Sequence, residues 1–252
     1  MPEPPPPDAC AIAVMAKASA PGRTKTRMVP PLTFEEAAAL NTTFLKDIAE
    51  NIARAAEAAP IAAYMAFAPS GSEAFFHEHL PPTVGLIEAT RGHFGECLLE
   101  TVQTLLRRGH KAACVLNSDS PTLPHSLLVE LAEVLAAPGE RGVIGPAEDG
   151  GYYVLGLKAA HGRLFEDIDW STERVFEQTM ARAEQTGLSM HVLRAWYDVD
   201  DAEGLRRLRR DIFAPDPSAR DSLAPSPARH TRALLEQMDQ AGALDQRLGV
   251  AG

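Results

Sequence analysis

The sequence predicts an α/β fold, a mixed but mostly parallel sheet with helices on both faces. Three observations carry this. Short apolar runs alternate with longer segments whose apolar residues recur every three or four positions, and the apolar runs tend to end in turn-forming or charged residues. The third is size: 252 residues, 45 % hydrophobic and 23 % charged, suit one ordinary globular unit that buries roughly 75 % of its unfolded surface.

The first strand is read at Ala11 to Met15, followed by a polar loop from Lys17 to Arg27 broken by Pro21 and Gly22. Thr33-Phe34-Glu35-Glu36 is a capping-box pattern, and Leu40, Phe44, Ile48, Ile52 and Ala55 continue it as a helix with one buried face. Strands follow at Ile61 to Ala68 and Val84 to Ile87. The next helix carries Phe94, Leu98, Val102, Leu105 and Leu106 on one side. Ala112 to Leu116 is a further strand, and Leu127, Leu128, Leu131, Val134 and Leu135 mark another amphipathic helix. Gly142 to Gly145 and Tyr152 to Leu157 are strands joined by a link too short for a helical crossover, so their pairing is antiparallel or displaced. Helices at Thr172 to Gln185 and Asp201 to Ile212 flank a last strand, Met190 to Trp196. This gives an α/β domain over residues 10–212, a Pro-rich linker over 213–228 and a helical tail over 229–252. The helix of the tail runs from about Arg229 to Leu244, and a chain without residues 214–252 is expected to stay folded.

A formal net charge of −10 argues against general binding to nucleic acid or an anionic membrane. No apolar run reaches the roughly 18 residues of a membrane span, and the Pro-rich opening lacks the pattern of a signal peptide. Cys10, Cys97 and Cys114 are odd in number and widely spaced, which suggests a reducing, cytoplasmic setting without disulfides. The eight histidines show no metal-ligand spacing.

Against this acidic background, the loop from Lys17 to Arg27 holds four basic residues and no acidic one, directly after the first strand. Ligand crevices form at the carboxyl ends of strands in open α/β sheets, so phosphate is the natural partner of this loop. Gly22 permits close approach of the backbone, Lys25 supplies a point cation and Arg27 a fork of donors. A solvated basic loop is the competing reading; on the phosphate reading Lys25 adds nothing to the stability of the unliganded protein, so Lys25→Ala is expected to weaken nucleotide binding without lowering stability. Thr24 stands where a Walker loop has glycine before its lysine, so that motif is excluded.

Asp119 leaves the sheet after the strand ending at Leu116, between a short polar run and Pro121, where one carboxylate can hold Mg²⁺ or Mn²⁺ against a diphosphate. The same residue types also make Asx-turns and caps. Between two strands, Glu148-Asp149-Gly150-Gly151-Tyr152 leaves Asp149 able to meet sugar hydroxyls or a cation, with glycines that let backbone approach a ligand, or forms a plain tight turn. Asp198 is a further metal candidate. Asp200 with Glu203 reads more simply as a helix N-cap, and Trp170 and Trp196 as core.

Taken in order, Lys17-x-x-x-Pro21-Gly22-x-x-Lys25-Thr26-Arg27, Ser118-Asp119-Ser120-Pro121, Glu148-Asp149-Gly150-Gly151-Tyr152-Tyr153, Trp170-Ser171-Thr172 and Asp198-Val199-Asp200 resemble the bacterial glycosyltransferase-A-like family of arsenosugar-biosynthesis-type glycosyltransferases. The resemblance spans about residues 11 to 212. It implies a Rossmann-like glycosyltransferase-A sheet with a nucleotide half, an acceptor half and a divalent cation bridging a diphosphate. Together with the reading of the residues above, the expected site has Asp119 and Asp149 as catalytic, Asp119 and Asp198 as metal ligands, and Lys17, Gly22, Lys25, Thr26 and Arg27 as phosphate-binding. Gly150, Gly151, Tyr152 and Trp170 would meet the substrate. Within the stretch from Arg91 to Cys97 the family tends to carry an acidic residue and an arginine where this chain has His93 and Cys97, a departure that bears on sugar or acceptor preference. Two guanylyltransferase families share the fold. The expected activity is sugar transfer from a nucleotide-diphospho-sugar to a small acceptor, with nucleotidyl transfer and a non-catalytic nucleotide-sugar binder as alternatives.

Overall fold

The computed structural model describes residues 9–89, 92–214, 223–240 and 244–248. The opening segment, Arg91 and residues 215–222 of the expected linker lie outside the described residues.

Seven strands form one sheet: β1 (Cys10–Lys17), β2 (Ile61–Ala68), β3 (Gly85–Glu88), β4 (Ala112–Leu116), β5 (Gly142–Pro146), β6 (Tyr152–Leu157) and β7 (Met190–Val192). Their order is β3-β2-β1-β4-β6-β5-β7. β1 to β4 pair in parallel, β6 runs antiparallel to both neighbours, and β7 is parallel to β5. The sheet is therefore mixed and mostly parallel.

Strand β1 shows why both faces need covering. Its even-numbered residues Cys10, Ile12, Val14 and Ala16 pack with α1 (Phe34–Ala56) and α4 (His125–Ala136). Its odd-numbered residues Ala11 and Ala13 pack with α3 (Phe94–Arg107) and α5 (Val175–Gln185). Successive side chains of a strand point to opposite faces, so a run without polar residues calls for helices on both sides. Cys10 and Cys114 bring their thiols to 3.5 Å across neighbouring strands without a disulfide, and Cys97 is also buried.

Helix α1 starts as its capping box requires: Thr33 accepts from the Glu36 amide, and the Glu36 carboxylate takes the Thr33 amide. A short helix, α2 (Glu73–His79), was not expected from the sequence. The last strand is shorter than Met190 to Trp196: pairing stops at Val192, and Trp196 returns only as an isolated bridge to Ala147. Pro146 ends β5 and has no amide to extend the ladder. The helix expected from Thr172 begins at Val175, because Ser171 takes a left-handed conformation with φ of 64° and the turn after it is used to seat a loop of the site.

Beyond α6 (Ala202–Phe213), the tail is not a detached accessory. Helix α7 (Arg229–Gln240) packs on α1, and α8 (Leu244–Leu248) follows it. Leu235, Leu244 and Leu248 are buried in a third cluster with Met28, Leu32, Leu40 and Phe44. The Asp47 carboxylate accepts from the His230 amide at 2.9 Å, the Thr231 amide at 2.9 Å and the Thr231 hydroxyl at 2.6 Å, satisfying the first turn of α7. Of the helix expected to run from about Arg229 to Leu244, Arg229–Gln240 is described as helical, and residues 241–243 lie outside the described residues.

Among the described residues, no helix is long and apolar enough to cross a membrane.

Candidate active site

The sheet changes direction of growth between β1 and β4. From β1 the chain builds outward through β2 and β3, whereas β4 is followed by strands on its other side. The loops leaving the carboxyl ends of such neighbours part, and a crevice opens between them. A cavity of about 680 Å³ lies there, lined by the loop after β1, the loop after β4, the start of β6 and residues 170–173.

The basic loop forms one wall. Thr24 is buried and closes the turn by exchanging hydrogen bonds with the Ala20 backbone. Gly22 has a φ of 70°, and a Cβ there would meet nothing nearer than the Phe34 ring at 3.9 Å, so glycine serves the left-handed turn rather than a close approach. Lys17 is exposed at the end of β1, and Arg23, Thr26 and Arg27 are exposed around the rim.

Lys25 differs from the expected free loop lysine. Its own backbone is left-handed at φ 50°, and its side chain is only 5 % exposed. The ammonium donates to the Asp119 carboxylate, to the Val199 carbonyl at 2.8 Å and to Asp200 at 3.1 Å, and lies 5.1 Å from the centre of the Phe44 ring. Arg27 pairs with the other oxygen of Asp200.

The opposing charge comes from Asp119, Asp149, Asp198 and Asp200. Burial first, and then the neighbouring carboxylates of Asp149, Asp200 and Asp119, push Asp198 up to about 6. Asp200 is a site residue and not the cap of α6. That cap is Asp201, whose carboxylate takes the amides of Glu203 and Gly204 at 3.0 and 2.9 Å. Sequence pattern misplaced the cap by one residue, since both aspartates stand just before the helix.

Asp119 is fixed from below. Asn51 of α1 donates to the carbonyls of Pro121 and Leu123 at 3.0 and 3.3 Å, the Ser120 hydroxyl donates to the Tyr197 carbonyl at 2.9 Å, and the Val199 amide donates to the Asp119 carbonyl at 2.9 Å. Asn41, also buried on α1, donates to the Lys17 carbonyl at 3.2 Å and the Ser19 hydroxyl at 2.9 Å. These positioning asparagines were not singled out from the sequence. The signal was present: a polar residue recurring on the apolar face of a helix needs a partner inside.

Asp149 combines both of its readings. It makes an Asx-turn, accepting from the Gly151 amide at 2.8 Å, and it lines the cavity. Gly150, with φ of 90°, meets its own chain and not a ligand: a Cβ would lie 2.2 Å from the Glu173 carbonyl oxygen. Gly151 and Tyr152 line the cavity, as does Trp170, which is partly exposed rather than core.

Asp47, Glu50 and His230 also come close enough to suggest a cation. The Asp47 oxygens are already committed to the start of α7, which explains that cluster as a helix cap.

A family model described as an uncharacterized protein conserved in bacteria (DUF2064) matches residues 51–172, slightly under half of the chain, and includes Asp119 and Asp149. No curated protein matches the chain significantly. Among solved structures, the chain is similar to a Desulfovibrio desulfuricans G20 protein provisionally named a nucleotide-diphospho-sugar transferase, with a TM-score of 0.78, 25 % identity, and coverage of 92 % of this chain and 96 % of that one. It is also similar to a CMP:2-keto-3-deoxy-manno-octonic acid synthetase complexed with CTP (TM-score 0.53, 12 % identity, 80 % and 97 % covered). A cytidylyltransferase from Leptospira borgpetersenii serovar Hardjo-bovis strain JB197 aligns with a TM-score of 0.51 at 12 % identity, over 97 % and 98 % of the two chains. The last two likenesses are of fold alone. With the strand order and the crevice between β1 and β4, these comparisons show that the chain has the α/β fold of nucleotide-sugar transferases.

Proposed function

We propose that this protein is a cytoplasmic enzyme that transfers a sugar from a nucleotide-diphospho-sugar to a small acceptor. The observation that carries the reading is the meeting of Lys25 and Arg27 with Asp119 and Asp200 at the carboxyl ends of β1 and β4. A diphosphate and a divalent cation together match a wall of cations facing a wall of carboxylates. The likeness to the Desulfovibrio protein supports this choice over most of the chain, and the arsenosugar-type resemblance of the motifs belongs to the same proposal.

The residues suit Mg²⁺ or Mn²⁺. Burial and three neighbouring carboxylates, Asp149, Asp200 and Asp119, raise Asp198 to about 6, and the Lys25 ammonium occupies the place of a counter-cation between Asp119 and Asp200. Hard oxygen donors of this kind prefer these ions. Asp119 and Asp198 would hold the ion, which when bound neutralises charge growing on the departing diphosphate.

The protein's own groups do the rest. Lys17, Lys25, Thr26 and Arg27 surround the phosphates from the loop, and Gly22 provides the turn that presents them. Asp149, held by the Gly151 amide, faces the sugar or the acceptor as a hydrogen-bond acceptor for a hydroxyl. Gly151, Tyr152 and Trp170 shape another part of the wall, and Gly150 seats their loop against the Glu173 backbone rather than meeting the substrate. Positioning and electrostatic stabilisation of the leaving group would provide most of the rate.

Four cations around one loop also suit a triphosphate, so nucleotidyl transfer with release of pyrophosphate is the second reading. The products separate the two. With a panel of nucleotide-sugars and acceptors, the expected product is a nucleoside diphosphate, and NTP with a sugar phosphate should yield no pyrophosphate. Asp119→Asn keeps the shape of the loop and should reduce turnover at least a hundredfold. Pyrophosphate release that depends on Asp119 would replace the first reading with the second.

A further inference from the structure

The cavity has a second, aromatic character beside its charged residues. Phe94, the first residue of α3, is 52 % exposed, although Leu98, Val102 and Leu105 on the same side of that helix are buried. Its ring stands edge-to-face with Trp170, 5.2 Å between centres at 85°, and Trp170 stands edge-to-face with Tyr152 at 6.4 Å and 77°. All three line the same cavity as Lys25 and Asp119.

This group is built, not incidental. Gly95 lies directly beneath the indole: a Cβ there would come within 2.9 Å of Trp170 Cζ2 and Nε1 and 2.8 Å of the Phe165 carbonyl. Only glycine lets Trp170 settle on the first turn of α3. The Tyr152 hydroxyl is buried without a hydrogen-bond partner among the described residues. Exposing a phenyl ring costs free energy in water, so leaving Phe94 beside a fixed indole at a cavity mouth calls for an occupant.

We infer that Phe94 and Trp170 dock an uncharged ring of the substrate, and that this pair sets specificity for the part of the substrate beyond its phosphates. This rests on the nucleotide-sugar reading above. Two rings of such a substrate have the required chemistry: the flat face of the base, and the C–H face of the sugar. Either packs on an aromatic surface through dispersion and the ring quadrupole.

The test is the affinity of Phe94→Ala for UDP, GDP and CDP and for their hexose conjugates, measured calorimetrically with Mn²⁺ present. An exposed residue at a helix start leaves folding intact, so the melting temperature should stay within a degree or two of the parent. Affinity for the preferred nucleotide-sugar should fall about tenfold, and Phe94→Tyr should restore it. Equal loss for the free diphosphate and its conjugate assigns the pair to the base; loss confined to the conjugate assigns it to the sugar. Binding should also change tryptophan emission in the parent and not in Trp170→Phe. Unchanged affinity of Phe94→Ala for ligands that bind the parent overturns the inference while leaving the phosphate site intact. Failure of every nucleotide to bind the parent overturns the functional reading and this inference with it.

Discussion

At the scale of single residues, Lys25 joins the phosphate site to the stability of the unliganded protein. Its ammonium is the shared partner of Asp119 and Asp200, and its stem is almost fully enclosed. Removing it leaves two carboxylates facing each other and strips a cation from the Phe44 ring. Lys25→Ala should therefore lower unfolding free energy by about 2 kcal/mol, discounted from the cost of breaking a fully buried pair because both aspartates are about one-third exposed. A shift below ~0.5 kcal/mol by chemical denaturation would return Lys25 to the class of free surface lysines. Asp198 gives the opposite sign. Its carboxyl is raised to about 6, so between roughly pH 4 and pH 6 the native state holds more protons than the unfolded state, and stability falls as pH rises through that window. Asp198→Asn removes that loss. In EDTA it should be more stable than the parent by on the order of 1–2 kcal/mol at pH 7, with the gain shrinking toward pH 4.5. Melting curves of the two proteins that run parallel across this range would show that the carboxylates do not crowd one another.

At the scale of elements, the sequence was most informative where periodicity and capping agree. Strands Ile61–Ala68, Ala112–Leu116 and Tyr152–Leu157 have the bounds expected of them, and the capping box placed the start of α1. These segments are set by local rules: burial on both faces for the strands, and reciprocal hydrogen bonds for the cap. The misses come where tertiary contacts decide. The run after Met190 has the composition of a long strand, but its partner ends at Pro146. Asp200 and Asp201 are interchangeable as cap candidates in sequence, and only the approach of Lys25 and Arg27 across more than 170 residues separates their roles. The candidate site divides the same way. Asp119, Asp149 and the basic loop were legible because strand ends in an α/β sheet mark a crevice, and the structure brings them to one cavity. The pairing of the loop with the aspartates was not legible, because each segment reads as self-sufficient until the fold brings them together. Gly150 shows this most plainly: its need for glycine comes from the Glu173 backbone, more than 20 residues away.

For the whole molecule, the question is whether the tail belongs to the folded core. Its helices cover a cluster that lies beneath the basic loop: Met28 and Leu32 follow the loop directly, and Phe44 sits under the Lys25 ammonium. Leu235, Leu244 and Leu248 close that cluster from outside, while Arg247 makes two hydrogen bonds to Glu36 at 2.7 and 2.8 Å and one to the Pro31 carbonyl at 3.0 Å. Core, loop floor and tail are thus one packed body, and a cut after residue 213 would expose apolar side chains that fold against the tail. Burying one such side chain contributes roughly 1.5–3 kcal/mol, so losing the cover of several is comparable to the whole stability of a domain. Deleting residues 214–252 should give an insoluble or partly unfolded chain. Asp47→Ala, which removes only the cap of α7, should cost about 1–2 kcal/mol and weaken nucleotide binding by a smaller factor through the loosened loop floor. The measurement is a pair of denaturation curves with a nucleotide titration of each soluble variant. A truncated chain that unfolds in one sharp transition and binds nucleotide like the parent would make the tail dispensable and place the support of the loop in α1 and α6 alone.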